Sequence, residues 1–396
     1  MSTATLEVPT VNHRRDRWML TGTTLLTYSI GLWIVTCNPL LANMVNRPPL
    51  VWNGLSPTQR FLLGIVLLII GSTPRECLIR ITVIASIIQT VNYLGMHDDD
   101  LDLESSRPYV FWRVVRRFAA AWIPFLSGRS VGGAPSIALT PFERITARYF
   151  VVKLLFMPMM IGFFFSTAQN LALMTSMGYG PPRMTIDYIQ HIYLTCFDVL
   201  MLVDICWFAI GCSVETGTFS PVKMVDPYPS GWIAALACYP PMVSIAGQLF
   251  VWAAPAFPPG LTVPSTALIY SIIGLILFTT YVIADLSFGL KTGNLTYRGL
   301  VDKGPYAIIR HPMYATKTTA WVIFTIPLLN IHVAHAAIGS LSVPIVDINW
   351  ALIWPMLAWV AIYCTRAFTE ERYLIEFPEY REYVKRVRYR FIPGVI

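Results

Sequence analysis

ALIYSIIGLILFTTYVIADL, running from Ala267 to Leu286, is a continuous apolar segment of twenty residues. An α-helix needs about 20 such residues to cross the roughly 30 Å hydrocarbon core of a bilayer. The pattern recurs at Trp18–Cys37, Tyr149–Ser176, Tyr188–Cys212 and Trp232–Trp252, and in a closing hairpin of Thr318–Ala337 and Trp350–Phe368. After a loop with Pro48 and Pro49 come two shorter runs, Phe61–Ser72 and Leu78–Met96. Thr73-Pro74-Arg75-Glu76 between them reads as a helix break, and the first run is short enough to be a half-span. Of all 396 residues, 55% are hydrophobic and 13% charged, with a mean hydropathy of +0.57. A soluble domain carries about 25% charged residues. The expected fold class is therefore all-α: a polytopic transmembrane helix bundle of about eight spans, with interfacial helices.

The net charge of +7 comes from basic residues set beside apolar runs. They report orientation and contact with anionic lipid heads rather than nucleic acid. A loop with Lys291, Arg298, Lys303 and Arg310 and a tail with Lys385, Arg386, Arg388 and Arg390 are separated by one hairpin, so both fall on one face. The positive-inside rule makes that face cytoplasmic. Counting back, His97–Arg148 is cytoplasmic too, which suits Arg113, Arg116, Arg117 and Arg129. Within it, Tyr109–Leu126 mixes aromatics and arginines as an interfacial amphipathic helix does. The acidic patch from His97 to Asp102 lacks the glycine and terminal glutamate of a calcium loop and reads as a solvated turn. The chain thus divides into an N-terminal part, 1–148, with membrane helices and an amphipathic cytoplasmic segment, and a membrane-embedded core over 149–396. About seventeen polar residues, Arg14, Arg15 and Arg17 among them, precede the first apolar run, which is not the pattern of a cleavable signal. The 7 cysteines form no C-x-x-C pair and read as small apolar residues.

The densest chemical signal runs from Gly299 to Tyr314, between two spans. Gly304-Pro305 marks a turn, and Pro312 suits the first position of a helix, where its missing N–H costs nothing. A helix start offers free N–H groups and a positive dipole end to a carboxylate or phosphate. Tyr306 and Tyr314 have aromatic faces for an adenine or a sulfonium cation. A second cluster, Arg366-Ala367-Phe368-Thr369-Glu370-Glu371, lies where the last span ends. Arg366 and Glu370 are one turn apart and can pair with each other. Beyond them Leu374, Phe377, Tyr380, Val384 and Val387 recur at helical spacing, with Pro378 starting a short helix.

Gly304-Pro305-Tyr306 followed by Arg310-His311-Pro312-Met313-Tyr314 resembles the G-x-Y…R-H-P-x-Y motif of isoprenylcysteine carboxyl methyltransferases and bacterial phospholipid methyltransferases. Arg366-x-x-x-Glu370-Glu371, then Phe377-Pro378-Glu379-Tyr380 and Tyr383, is similar to the R-x-x-x-E-E and F-x-x-Y-x-x-Y tail of the same family. The likeness covers about Ala267 to Pro393, roughly a third of the chain; the family core has no counterpart for residues before about 190. It implies an enzyme that transfers a methyl group from S-adenosylmethionine to a lipophilic or lipidated acceptor, a carboxylate, amine or thiol, with the cofactor on the cytoplasmic face. It also implies that Gly304, Tyr306, Arg310, His311, Tyr314 and Glu371 bind the cofactor, and that Arg366 and Glu370 serve catalysis, Arg366 facing the acceptor. The ending Tyr389-Arg390-Phe391-Ile392-Pro393 is similar instead to membrane sterol reductases, which share R-H-P-x-Y. An NADPH-dependent reductase is the alternative, although Met313 stands where those enzymes usually place Asn. A direct attack on an activated methyl needs mainly positioning, whereas an amine or hydroxyl acceptor would also need a base.

Ionisable groups inside a span cost about 2.5–3.5 kcal/mol at its centre and tend to be functional or paired. His191 and Asp198 share one face of their span, with Asp204 about 120° round. Asp198 is the candidate substrate contact; an interhelical hydrogen bond or a proton relay are the other readings. His332 and His335 have no carboxylate or cysteine near them in sequence, so no metal site is expected. No repeated halves of the transporter kind are visible.

Overall fold

The computed structural model describes residues 13–37, 71–95, 102–127, 134–177, 184–213, 220–239, 242, 257–258, 260–329, 332–338, 341–347 and 350–395. The described chain is mostly helical, as a membrane bundle requires. Among the described residues, those up to Pro158 form one compact unit and those from Met159 another.

In the first unit, α1 (His13–Cys37) packs against α2 (Pro74–Gly95) and α3 (Arg107–Leu126). The break read at Thr73-Pro74-Arg75-Glu76 is the cap of α2. Thr73 Oγ1 accepts from the Glu76 N–H at 3.2 Å, and Glu76 accepts from the Ser72 N–H at 2.8 Å. The same device opens α4 (Pro141–Met177) at Thr140-Pro141-Phe142-Glu143, where the two cap bonds are 3.2 and 2.9 Å. Glu143 is also gripped by Arg117 at 2.8 Å and Arg113 at 3.2 Å, so the arginines of the amphipathic α3 fix the start of α4. That cap places the helix start eight residues before Tyr149. The acidic patch 97–101 lies outside the described residues; Asp102 accepts from the Glu104 N–H at 2.9 Å, in a turn of 3-10 helix.

The second unit holds the rest of α4, then α5 (Ile186–Ser213), β1 (Met224–Val225), α6 (Pro229–Ala237), α7 (Pro264–Ser287), β2 (Thr296–Tyr297), α8 (Pro312–Thr325), β3 (His332–Ile338), β4 (Leu341–Asp347), α9 (Trp350–Leu374) and α10 (Pro378–Arg386). β1 pairs antiparallel with β2, and β3 with β4. α7 lies between α5 and α8, and α9 packs on α6 and α8. Tyr193, Phe278 and Phe324 meet at the centre of these helices, with ring centroids of Tyr193 and Phe324 6.0 Å apart. Gly274 permits this approach: a Cβ there would stand 2.5 Å from Phe324 Cζ and 2.8 Å from the Tyr193 hydroxyl.

Five described helices are long and apolar enough to cross a bilayer: Arg14–Cys37, Pro74–Gly95, Pro141–Met177, Ile186–Cys212 and Pro264–Ser287. α7 turns an exposed stripe of Ile269, Ile272, Ile276 and Ile283 outward, a surface suited to lipid. The expected count of about eight spans is not confirmed by the described residues, and at Thr318–Ala337 they depart from the expected helix. Helix ends there at Leu329, and residues 332–338 are a strand. With the 3-10 turn that continues it to Leu329, α8 reaches about 29 Å at roughly 1.5 Å per α-helical and 2.0 Å per 3-10 residue, so its end rather than its reach differs from the expected span. In the expected span Trp232–Trp252 a helix runs through Ala237 to a turn and Met242 is helical again, and most of the remainder, like the run 61–70 and the Pro48-Pro49 loop, lies outside the described residues.

Candidate active site

Tyr306 sits in a turn of 3-10 helix, Gly304–Ala307, whose first residue has φ +60°, a conformation glycine adopts without strain. Five residues after Ala307, Pro312 opens α8 as its composition requires, with His311 as the cap residue. The tail returns to this point: the N–H groups of Arg310 and His311 donate to the carbonyls of Tyr389 and Arg390, each at 2.9 Å. The apolar stripe of the tail explains why it docks. Tyr380, Tyr383 and Val387 are buried against Leu300, Leu374 and Phe377, and the Tyr383 hydroxyl donates to the Tyr306 carbonyl at 2.8 Å.

Docking brings the two sequence clusters together. Arg310 Nε donates to Glu371 Oε1 at 2.7 Å across 61 residues of sequence, His311 Nε2 stands 3.1 Å from the same oxygen, and Arg390 Nε donates to Oε2 at 2.8 Å. Arg310 also donates to the carbonyls of Val387 and Arg388, both at 3.1 Å. Glu371 lies in the charged end of α9, beyond its apolar part. Burial pushes its carboxyl up, but His311, Arg310 and Arg390 outweigh this and hold it at about 2. Glu370, one residue earlier, points to a different set of partners: Tyr314 donates to it, and Arg366 Nε does so at 3.4 Å. Arg366 donates its other edge to Asn294, which in turn donates to the Tyr239 hydroxyl at 3.0 Å. Its guanidinium carbon lies 5.2 Å from the Tyr314 ring centre. The His311 and Tyr314 rings stack with centroids 5.5 Å apart.

These residues border a cavity of about 560 Å³, within the range of small-molecule sites. Tyr306, Arg310, His311, Tyr314, Arg366 and Glu370 line it; Gly304 and Glu371 support it from outside. Asp198 is buried on α5 and does not line it, whereas Asp204 does. Sequence reasoning passed over Asn294, Asp285 and Lys317, all three in the lining. The last two carried a usable signal, since each is an ionisable group in an apolar helix. Asn294 carried none; it is set by a turn in which Leu295 adopts φ +56°, a conformation rare for a side chain with a Cβ and one often found at functional sites. Among the described residues, no three of His, Cys, Asp and Glu gather as metal ligands. No family model matches the chain, and neither a curated protein nor a solved structure does.

Proposed function

We propose that this chain is a membrane enzyme transferring a methyl group from S-adenosylmethionine to a lipophilic acceptor. One observation carries the reading: the two clusters that resemble the methyltransferase motifs close around a single cavity, joined through Arg310, His311 and Glu371. The lining fits such a molecule. Tyr306 and Tyr314 offer aromatic faces to the adenine or the sulfonium, and the first N–H groups of α8 offer donors to a carboxylate. When bound, the cofactor supplies an activated methyl group. The chain's own share is to hold and orient: Glu371, saturated by Arg310, His311 and Arg390, locks the tail over the α8 start rather than touching the ligand. Arg366 and Glu370 neutralise each other at the cavity edge and keep Tyr314 in place. A rigid lining of this kind supplies positioning, the main need of a direct methyl transfer.

Calorimetry on the purified protein in detergent tests this. S-adenosylmethionine is expected to bind and NADPH not, with His311→Ala abolishing the binding while the protein stays folded. Binding of NADPH alone would overturn the reading in favour of a reductase.

A further inference from the structure

Beyond Arg366 the cavity contains a second polar group, formed by three helices of the same unit. Asp204 comes from α5, Tyr281 and Asp285 from α7, and Lys317 from α8, and all four line the cavity. The Tyr281 hydroxyl donates to Asp204 Oδ2 at 3.3 Å. Thr292 Oγ1 donates to Asp285 Oδ1 at 2.9 Å. Asp285 is fully buried, yet its Oδ2 receives no hydrogen bond from the described residues, and the Asp204 carboxyl stands beside it. Two carboxylate oxygens repel unless a proton lies between them or a donor from a ligand joins them. Leaving such an oxygen bare inside a protein costs about 1–3 kcal/mol, more for a charged group. Lys317 faces Asp204 and lies over the rings of Tyr281 and Trp321, at 5.4 and 5.1 Å. The group therefore has two carboxyls and one cation, and Arg366 does not tip the balance because Glu370 already pairs with it.

We propose that Asp204 and Asp285 form the proton-accepting subsite of this cavity, serving an acceptor whose nucleophilic atom is a nitrogen or oxygen that carries a proton. The proposal rests on the methyl-transfer reading. The acceptor's N–H or O–H bond breaks and its proton passes to a carboxylate oxygen. The electron pair left on nitrogen or oxygen forms the bond to the methyl carbon, the carbon–sulfur bond of the sulfonium breaks, and that pair stays on a neutral thioether. A carboxylate acceptor has no proton to give, and its charge would face the Asp204 and Asp285 carboxyls across the same cavity.

The test uses the full chain in phosphatidylcholine nanodiscs and dicyclohexylcarbodiimide, which modifies carboxyls shielded from water, with the modified residue located by mass spectrometry. Modification is expected at Asp285 or Asp204, with dodecylamine or dodecanol protecting and dodecanoate not. Protection by the amine alone or by the alcohol alone assigns the acceptor atom. Asp285→Asn is expected to weaken the protecting probe's binding by about tenfold, the worth of a hydrogen bond to a charged group, with affinity for S-adenosylmethionine unchanged. Protection by dodecanoate, or by none of the three, overturns the proposal, and the wild-type protection data decide this even where the variant does not fold. Protection by the amine or alcohol in a protein that fails to bind S-adenosylmethionine keeps the subsite and overturns the methyl-transfer reading instead.

Discussion

Glu371 shows how one carboxylate can organise a site it does not line. It accepts from Arg310, His311 and Arg390, three residues on two segments, the start of α8 and the tail. Breaking a buried ion pair by removing one partner costs about 3–5 kcal/mol, since the other charge stays behind. Glu371→Gln is therefore expected to lower the thermal midpoint of the purified protein by several degrees at pH 7. The sign of the pH dependence follows from a folded value of about 2 against an ordinary carboxylate value of about 4.3. The stabilising contribution is complete above the ordinary value and is lost as pH falls through about 2. The gap in thermal midpoint between wild type and variant should hold from pH 7 to 5 and shrink below about pH 4. A gap that grows on acidification would show that Glu371 is protonated in the native state.

At the scale of elements, close helix contact in the second unit depends on small residues. α7 touches α5 and α8 at Gly274, where Phe324 and Tyr193 leave no room for a Cβ. Overpacking a filled interior costs about 1–3 kcal/mol. Gly274→Ala should destabilise the protein by that amount in a denaturation series, and Gly274→Leu should prevent recovery of folded protein; an unaffected leucine variant would show that the helices part there without cost. The tail follows a different rule. α10 attaches by its buried face, with Tyr383 joined to the Tyr306 carbonyl. Tyr383→Phe keeps the ring and loses one hydrogen bond, a change of about 1 kcal/mol. It should preserve the fold, measured as unchanged helical circular dichroism, and weaken S-adenosylmethionine binding, because the turn holding Tyr306 loosens. Unchanged affinity would separate the tail from the site.

For the whole molecule, the docking of tail on loop sets the sidedness. Arg386 pairs with Asp302, and Lys303 and Lys385 are both exposed. In sealed vesicles an impermeant thiol reagent should label Lys303→Cys and Lys385→Cys together or leave both untouched. Labelling of one alone would put loop and tail on opposite faces and break the proposed site.

Composition and periodicity were enough to establish a helical membrane chain, because apolar length is a local property that a bilayer reads segment by segment. They also marked Pro312 and Pro378 as helix starts, since a proline at the first helical position needs no partner elsewhere. The motif residues from Gly304 to Tyr314 and from Arg366 to Glu371 were equally visible in the chain. Their division of labour was not. Glu370 and Glu371 are adjacent in sequence, yet α9 turns about 100° between them and sends one to Tyr314 and the other to Arg310. Asn294 and Asp285 reach the cavity only because α7 and the turn after it fold against α5 and α9. The end of α8 at Thr325 was hidden for a different reason: the apolar residues beyond it suit a strand as well as a helix, and the pairing of β3 with the strand that directly follows it decides between them. A local pattern says which helix can form; which groups meet inside the bundle depends on contacts between segments far apart in the chain, and those exist only in the folded molecule.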